Sequence, residues 1–157
     1  MHISTHTLTP TPMPVSTHAP VLLVEDDECI REAVTLLLED AGYAVTALTS
    51  VTDAQTHLSA ASCAHVVLLD FLLPPGNAGT LLRAIDQDAT LARHCYVLMP
   101  ASNVTLFSDE AQRLIAAHCT EVVYKPFDVE RLLAVVEQAA AHLPATDPRT
   151  HNVALMP

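Results

Sequence analysis

Five short apolar runs recur along the chain: VLLV at 21–24, YAVTAL at 43–48, HVVLLD at 65–70, CYVLM at 95–99 and EVVYK at 121–125. Runs this short, with little polar alternation, are what strands buried on both faces of a parallel sheet require. Between them the apolar period changes. Ile30, Ala33, Val34, Leu37, Leu38 and Ala41 fall on one face of a helix, which Gly42 closes as a left-handed cap. Thr52 and Gln55 form a capping box for a second helix that runs to about Ala61. Leu81, Leu82 and Ile85 mark a third helix and the segment SDEAQRLIAAHC a fourth. Val129, Leu132, Leu133, Val136, Ala140 and Leu143 share one face of a fifth, capped by Asp128. Strict alternation of strand and helix patterns predicts an α/β domain built on a doubly wound, five-stranded parallel sheet.

Such a sheet joins its strands by right-handed crossovers and binds ligands outside their carboxyl ends, where the strand order reverses. The flavodoxin-like order 2-1-3-4-5 makes the first and third strands neighbours at that point. Three polar features fall there: Glu25, Asp26 and Asp27 after the first strand, Asp70 closing the third, and Lys125 closing the fifth. Two carboxylates about 4 Å apart repel by roughly 4 kcal/mol at an effective dielectric of about 20, so converging acids need a cation or a proton. Mg2+ suits such a cluster, because it takes hard oxygen ligands, keeps several waters and is commonly held by one or two carboxylates together with a phosphate. Lys125 then meets an anionic ligand as a point charge. Asp27 and Glu28 have a plainer part, capping the first helix and favouring its dipole. Asp70 lies between the apolar stretches HVVLL and FLL, where solvent exposure does not account for a charge.

Half of the 157 residues are hydrophobic, enough for one core, and a single domain over residues 19–143 is expected. Residues 1–18, rich in Thr, Pro and His, read as a disordered leader, and residues 144–157 as a disordered tail. Eighteen acids against seven bases give a formal charge of -11, which opposes the counterion release that nucleic-acid binding depends on. Direct nucleic-acid binding is therefore not expected. The cysteines at 29, 63, 95 and 119 have no short paired spacing, which suits reduced thiols rather than disulfides or a zinc site, and the histidines are too dispersed to make a metal constellation. No run is long enough to cross a bilayer and no secretory signal opens the chain, so a soluble, cytoplasmic protein is expected.

VLLVEDD, VVLLDFLLP and VVYKPF, in this order and in register with the five alternating units, resemble the receiver domain of two-component response regulators. The resemblance implies a Mg2+-dependent transfer of a phosphoryl group from a sensor histidine kinase, or from a phosphotransfer protein, to Asp70 as an aspartyl phosphate. It matches Glu25 and Asp26 to the metal-binding acids, the main-chain carbonyl of Leu72 to a further metal ligand beside Asp70, and Lys125 to the phosphate-pairing lysine. A carboxylate nucleophile, with metal and lysine neutralising charge, agrees with the chemistry read from the residues themselves. The implied role is a phosphoacceptor in signal transduction, not an enzyme. A phosphatase using Asp70 lacks a second acid close by, because Phe71 and Leu72 follow it. Output is expected to pass to a downstream protein at the surface of the fourth helix, fifth strand and fifth helix. LLAVVEQAAAHL is apolar enough for its outer side to pair with a second copy, although burial against the sheet accounts for most of it.

The sequence departs from the family pattern around this site. Pro100 stands where most receivers end the fourth strand in Thr or Ser, and Ala101 takes the small position after it. Proline offers neither a side-chain donor nor an N–H. Ser102 substitutes for that hydroxyl only if the loop is rebuilt. Val122, three before Lys125, stands where receivers carry the switching aromatic; Tyr124 is aromatic, but alternation sends it to the other face of the strand. The loop FLLPPGNAG and the segment 100–125 both look longer than usual. The alternative reading is a pseudo-receiver, an interaction module with weak or no phosphorylation. The intact Glu25, Asp26, Asp70 and Lys125 favour the phosphoacceptor, since an unused buried acidic cluster is costly to keep folded.

Overall fold

The computed structural model describes residues 18–145; the expected leader through residue 17 and the expected tail from residue 146 lie outside them. The chain runs β1 (Val21–Val24), α1 (Glu28–Asp40), β2 (Val45–Leu48), α2 (Val51–Ala60), β3 (Val66–Leu69), β4 (Leu72–Leu73) and β5 (Gly76–Asn77). It continues with α3 (Gly79–Ile85), α4 (Ala89–Ala92), β6 (Cys95–Leu98), a 3-10 turn (Val104–Leu106), α5 (Asp109–His118), β7 (Cys119–Val122) and α6 (Val129–Ala141). The main sheet is parallel throughout, in the order β2-β1-β3-β6-β7, which is the expected 2-1-3-4-5 once the two-residue strands β4 and β5 are set aside.

Every residue of β1, β3 and β6 is buried, while the edge strands β2 and β7 are not, which explains why only the inner three read as unbroken apolar runs. Successive strand residues face opposite sides of the sheet. Leu22, Val24, Val67, Leu69, Tyr96 and Leu98 pack under α2, α3 and α5, against residues such as Leu58, Leu82 and Ile115. Val21, Leu23, Val66, Leu68, Cys95 and Val97 pack under α1 and α6, against Val34, Leu38, Leu132 and Val136. A sheet covered on both faces leaves its carboxyl edge as the accessible one.

Several local expectations shift. Gly42 has φ +94, and its N–H donates to Glu39 O at 3.0 Å while Tyr43 N–H donates to Leu38 O at 3.0 Å, the paired bonds of a left-handed cap, as expected. The second helix starts earlier than Thr52: Ser50 is its cap and accepts Asp53 N–H at 3.2 Å, because Val51, Ala54 and Leu58 are the residues that the sheet buries. In α6 Asp128 is the cap, but Val129 is 52% exposed and Val135 and Ala139 are buried, so the apolar stripe is centred on Leu132, Val136 and Ala139. The loop FLLPPGNAG carries a small antiparallel hairpin pairing Leu72 with Asn77 and Leu73 with Gly76. The last strand pairs over Cys119–Val122, earlier than EVVYK, through an irregularity opposite Tyr96 and Val97. Bonds from Val123 N–H to Leu98 O (2.8 Å) and Lys125 N–H to Pro100 O (3.0 Å) carry the alignment on to the lysine.

At the opposite, amino-terminal edge of the sheet, His65 N–H donates to His94 Nδ1 at 3.0 Å, and His94 Nε2 lies 3.1 Å from Leu58 O as its donor. The four cysteines are free thiols. Among the described residues no helix is long and apolar enough to cross a membrane.

Candidate functional site

The ladder fixes where the acids stand. Val24 and Leu69 are partners at the ends of β1 and β3, so the residues after them, Glu25 and Asp70, leave the sheet side by side. Glu25 N–H donates to Leu48 O at 3.0 Å and Asp70 N–H to Val24 O at 3.0 Å, extending the sheet by one residue under both carboxylates. Glu25 is 1% exposed and Asp70 7%, whereas Asp26 is open to solvent. Carboxylate oxygens of Glu25, Asp26 and Asp70 lie within 4.8 Å of one another. Lys125 reaches across from the end of the last strand, paired with Glu25 Oε2 and 3.4 Å from Asp70 Oδ2.

The two ends of the turn after β1 are held separately. Asp27 caps α1, its Oδ1 accepting Ile30 N–H at 3.0 Å, and Glu28 opens the first turn, so these two acids take the structural part expected of them. Glu25 Oε1 accepts Asp27 N–H at 3.1 Å. Arg31, which sequence reasoning passed over, donates from Nη1 to the carbonyls of Glu25 (3.1 Å) and Asp26 (3.2 Å), clamping the acidic turn from the helix. Burial pushes the Glu25 carboxyl above its ordinary range and the charge of Asp70 adds to this; the bonds from Lys125 and Asp27 pull the other way without reversing it.

These groups face a cleft of about 420 Å³ whose walls include Leu72, Ala101, Ser102 and Phe107. Leu72 turns its side chain out, 63% exposed, beside Asp70. Ser102 is exposed on the rim. Pro100 is buried, and its carbonyl serves the strand by accepting Lys125 N–H. Val122 is half-buried against the core under α2, α3 and α5. Tyr124 does not point away from this region: its hydroxyl accepts Val104 N–H at 3.5 Å, because Tyr124 shares the strand parity of Val122 and so overhangs the segment after β6. Phe107 has no motif to announce it, yet it stacks on Phe71, the residue after Asp70.

The profile of the response regulator receiver domain matches residues 21–137, nearly all of the described chain. The chain belongs to the response regulator receiver family. It is similar to the transcriptional regulatory protein GltR of Pseudomonas aeruginosa, 33% identical over 119 residues, which cover 74% of this chain and 47% of that protein. Among solved structures it resembles a receiver domain protein from Methanospirillum hungatei (27% identity, TM-score 0.67, covering 78% of this chain and 94% of that one). It also shares the fold of the receiver domain of a sensor histidine kinase from Pseudomonas aeruginosa, solved with magnesium in its active-site cleft (21% identity, TM-score 0.67, covering 79% of this chain and 98% of that one). The receiver spans about half the length of the curated relatives it matches.

Receiver domains are signalling modules that work with histidine kinases and downstream partners and bind Mg2+ in their active sites. The donor set of this receiver fits such an ion: three carboxylates on two adjoining strand ends, with no nitrogen or sulfur among them, supply hard oxygen ligands and the negative charge a small dication neutralises. Glu25 already divides its carboxylate between Lys125 and Asp27 N–H, which leaves Asp26 and Asp70 as the carboxylates with most freedom to ligate.

Proposed function

We propose that this receiver accepts a phosphoryl group on Asp70 from a phosphohistidine of a sensor kinase or phosphotransfer protein. One observation carries the reading: a nearly buried carboxylate stands beside two others and within 3.4 Å of a lysine ammonium, at an open cleft. A carboxylate oxygen of Asp70 attacks phosphorus in line with the departing group, the bond from phosphorus to the donor nitrogen breaks, and its electron pair leaves with the imidazole. Lys125 is close enough to pair with the added phosphoryl oxygens, and Glu25 holds it in position until then. Asp26, Asp70 and the Leu72 carbonyl, together with Glu25, would hold Mg2+, which would supply positive charge against the transferring group. The output is a protein contact, the setting is cytoplasmic, and pairing through α6 with a second copy is a route to signalling. Incubation with Mg2+ and acetyl phosphate, followed by intact mass, tests the reading. The wild type should gain one phosphoryl adduct that Asp70→Ala lacks; no adduct on the wild type, or one that survives Asp70→Ala, sinks it and leaves the pseudo-receiver.

A further inference from the structure

The cleft at Asp70 has an aromatic wall that the chemistry described so far does not use. Phe71 follows Asp70 directly and is buried, and its ring lies on that of Phe107 with centroids 4.1 Å apart and planes 14° from parallel. Phe107 ends the segment between β6 and α5 and is tied to both. Its N–H donates to Val104 O at 3.1 Å, and its carbonyl accepts Gln112 Nε2–H at 2.9 Å. The next residue, Ser108, caps α5 by accepting Ala111 N–H at 3.2 Å. Two cavities meet at the stack. One is the cleft of Asp70; the other, about 270 Å³, is lined by both rings together with Asn77, Arg83, Glu110 and Leu114. Beside it Arg83 pairs with Glu110 at 2.9 Å, linking α3 to α5.

Resting on the reading of Asp70 as phosphoacceptor, we propose that the Phe71–Phe107 stack is the two-position element through which occupancy of Asp70 reaches the N-terminus of α5. A phosphoryl group on Asp70 occupies the cleft that Phe107 walls. Ala101 and Ser102, exposed on its rim, carry the first N–H donors after Pro100, which has none. Drawing that segment toward the anion shifts Phe107, and the second cavity gives the ring somewhere to go. Ser108 and Gln112 move with it, because they are bonded to or adjoin Phe107. The route needs neither a hydroxyl at position 100 nor an aromatic at position 122, the two features that this receiver lacks.

Linkage sets the sign of the test. A stack that holds the unoccupied form weakens binding of a phosphoryl mimic, so removing it strengthens binding by the same factor. The strength of such aromatic pairs corresponds to roughly two- to tenfold. Beryllofluoride with Mg2+ is titrated into the full chain and into Phe107→Ala and Phe71→Leu, by calorimetry and by amide NMR. Both variants should bind two- to tenfold more tightly. The amides of residues 108–112 should shift on binding in the wild type and already lie near their bound positions in the unliganded variants. Equal or weaker binding in either folded variant, or unmoved 108–112 amides in the saturated wild type, overturns the relay while leaving Asp70 as acceptor. If Phe107→Ala does not fold, the milder Phe71→Leu decides. A wild type that neither binds the mimic nor gains an Asp70 adduct overturns the phosphoacceptor reading, and the relay with it.

Discussion

Lys125→Met keeps the aliphatic stem of the lysine and deletes the charge that Glu25 pairs with. A buried ion stripped of its partner costs about 3–5 kcal/mol, but a carboxylate has an escape, because it takes up a proton. For a carboxyl whose ordinary pKa is 4.5, staying protonated at pH 7 costs about 3.4 kcal/mol, at 1.36 kcal/mol per pH unit. That figure caps the share of Glu25 in the loss, and at pH 5 the cap falls to about 0.7 kcal/mol. The direction follows from proton binding. Burial raises the folded-state pKa of Glu25, so the folded form holds the extra proton between pH 4.5 and the raised value, and stability falls as the pH climbs through that window. Deleting Lys125 raises the carboxyl further and widens the window upward. Urea unfolding of the wild type, Lys125→Met, Glu25→Gln and the double variant, in chelator, isolates the pair as a coupling energy, because the titration of other groups largely cancels in the cycle. The coupling should be about 2–3 kcal/mol at pH 7 and under about 1 kcal/mol at pH 5. Equal coupling at the two pH values, or more than about 4 kcal/mol at pH 7, refutes Glu25 as the lysine's main partner.

Mg2+ binding only to the folded state adds about 2.7 kcal/mol at a hundred times its dissociation constant. Scanning calorimetry should therefore show Tm rising by several degrees with Mg2+ in the wild type, and no rise in Asp26→Asn. A second pH limb belongs to the histidines at the far edge of the sheet. Burial holds His94 down to about 4 against an ordinary 6.5, and its Nδ1 is already used as an acceptor from His65 N–H. Between those values the unfolded chain binds the extra proton, so stability present above pH 6.5 is lost as the pH falls toward 4, by about 3 kcal/mol from His94 alone. Unfolding curves across this range should flatten in His94→Gln.

The fold was legible where burial is symmetric. β1, β3 and β6 are covered on both faces, so their residues face one requirement on each side and the runs stay apolar without a break. β7 is an edge strand and only half-buried, and there EVVYK misplaced the pairing toward its carboxyl end. The start of α2 shows a different kind of ambiguity. Ser50 with Asp53 and Thr52 with Gln55 both satisfy the spacing of a cap, and local chemistry does not choose between them. The choice is made by the sheet, which needs Val51, Ala54 and Leu58 on its side. Val129 reads as core for the same reason: periodicity marks a stripe, but the packed partner decides its centre.

At the site, a charge left at the end of an apolar run is conspicuous because no apolar contact explains it, and Glu25, Asp70 and Lys125 were singled out that way. Arg31 was not, since a basic residue on a helix looks solvated until the turn it clamps is folded beneath it. Phe107 was missed because its meaning lies in a contact between segments far apart in sequence, with Phe71, whereas Tyr124 was considered but placed on the wrong face, since it shares the parity of Val122 and reaches Val104. The difference has a mechanical consequence. Acids and lysine are fixed to strand ends, whose positions the ladder sets within one register, so the chemistry tolerates little change around it. The segment from Ala101 to Phe107 forms no strand and is mostly exposed, with ties to Tyr124 at Val104 and to Phe71 at Phe107, so its packing against the cleft varies more freely than the positions of the carboxylates. With proline at position 100 and valine at position 122, the acids and the lysine of this receiver keep their places at the strand ends, and the segment from Ala101 to Phe107 meets them through the Phe71–Phe107 stack, which includes the residue next to Asp70.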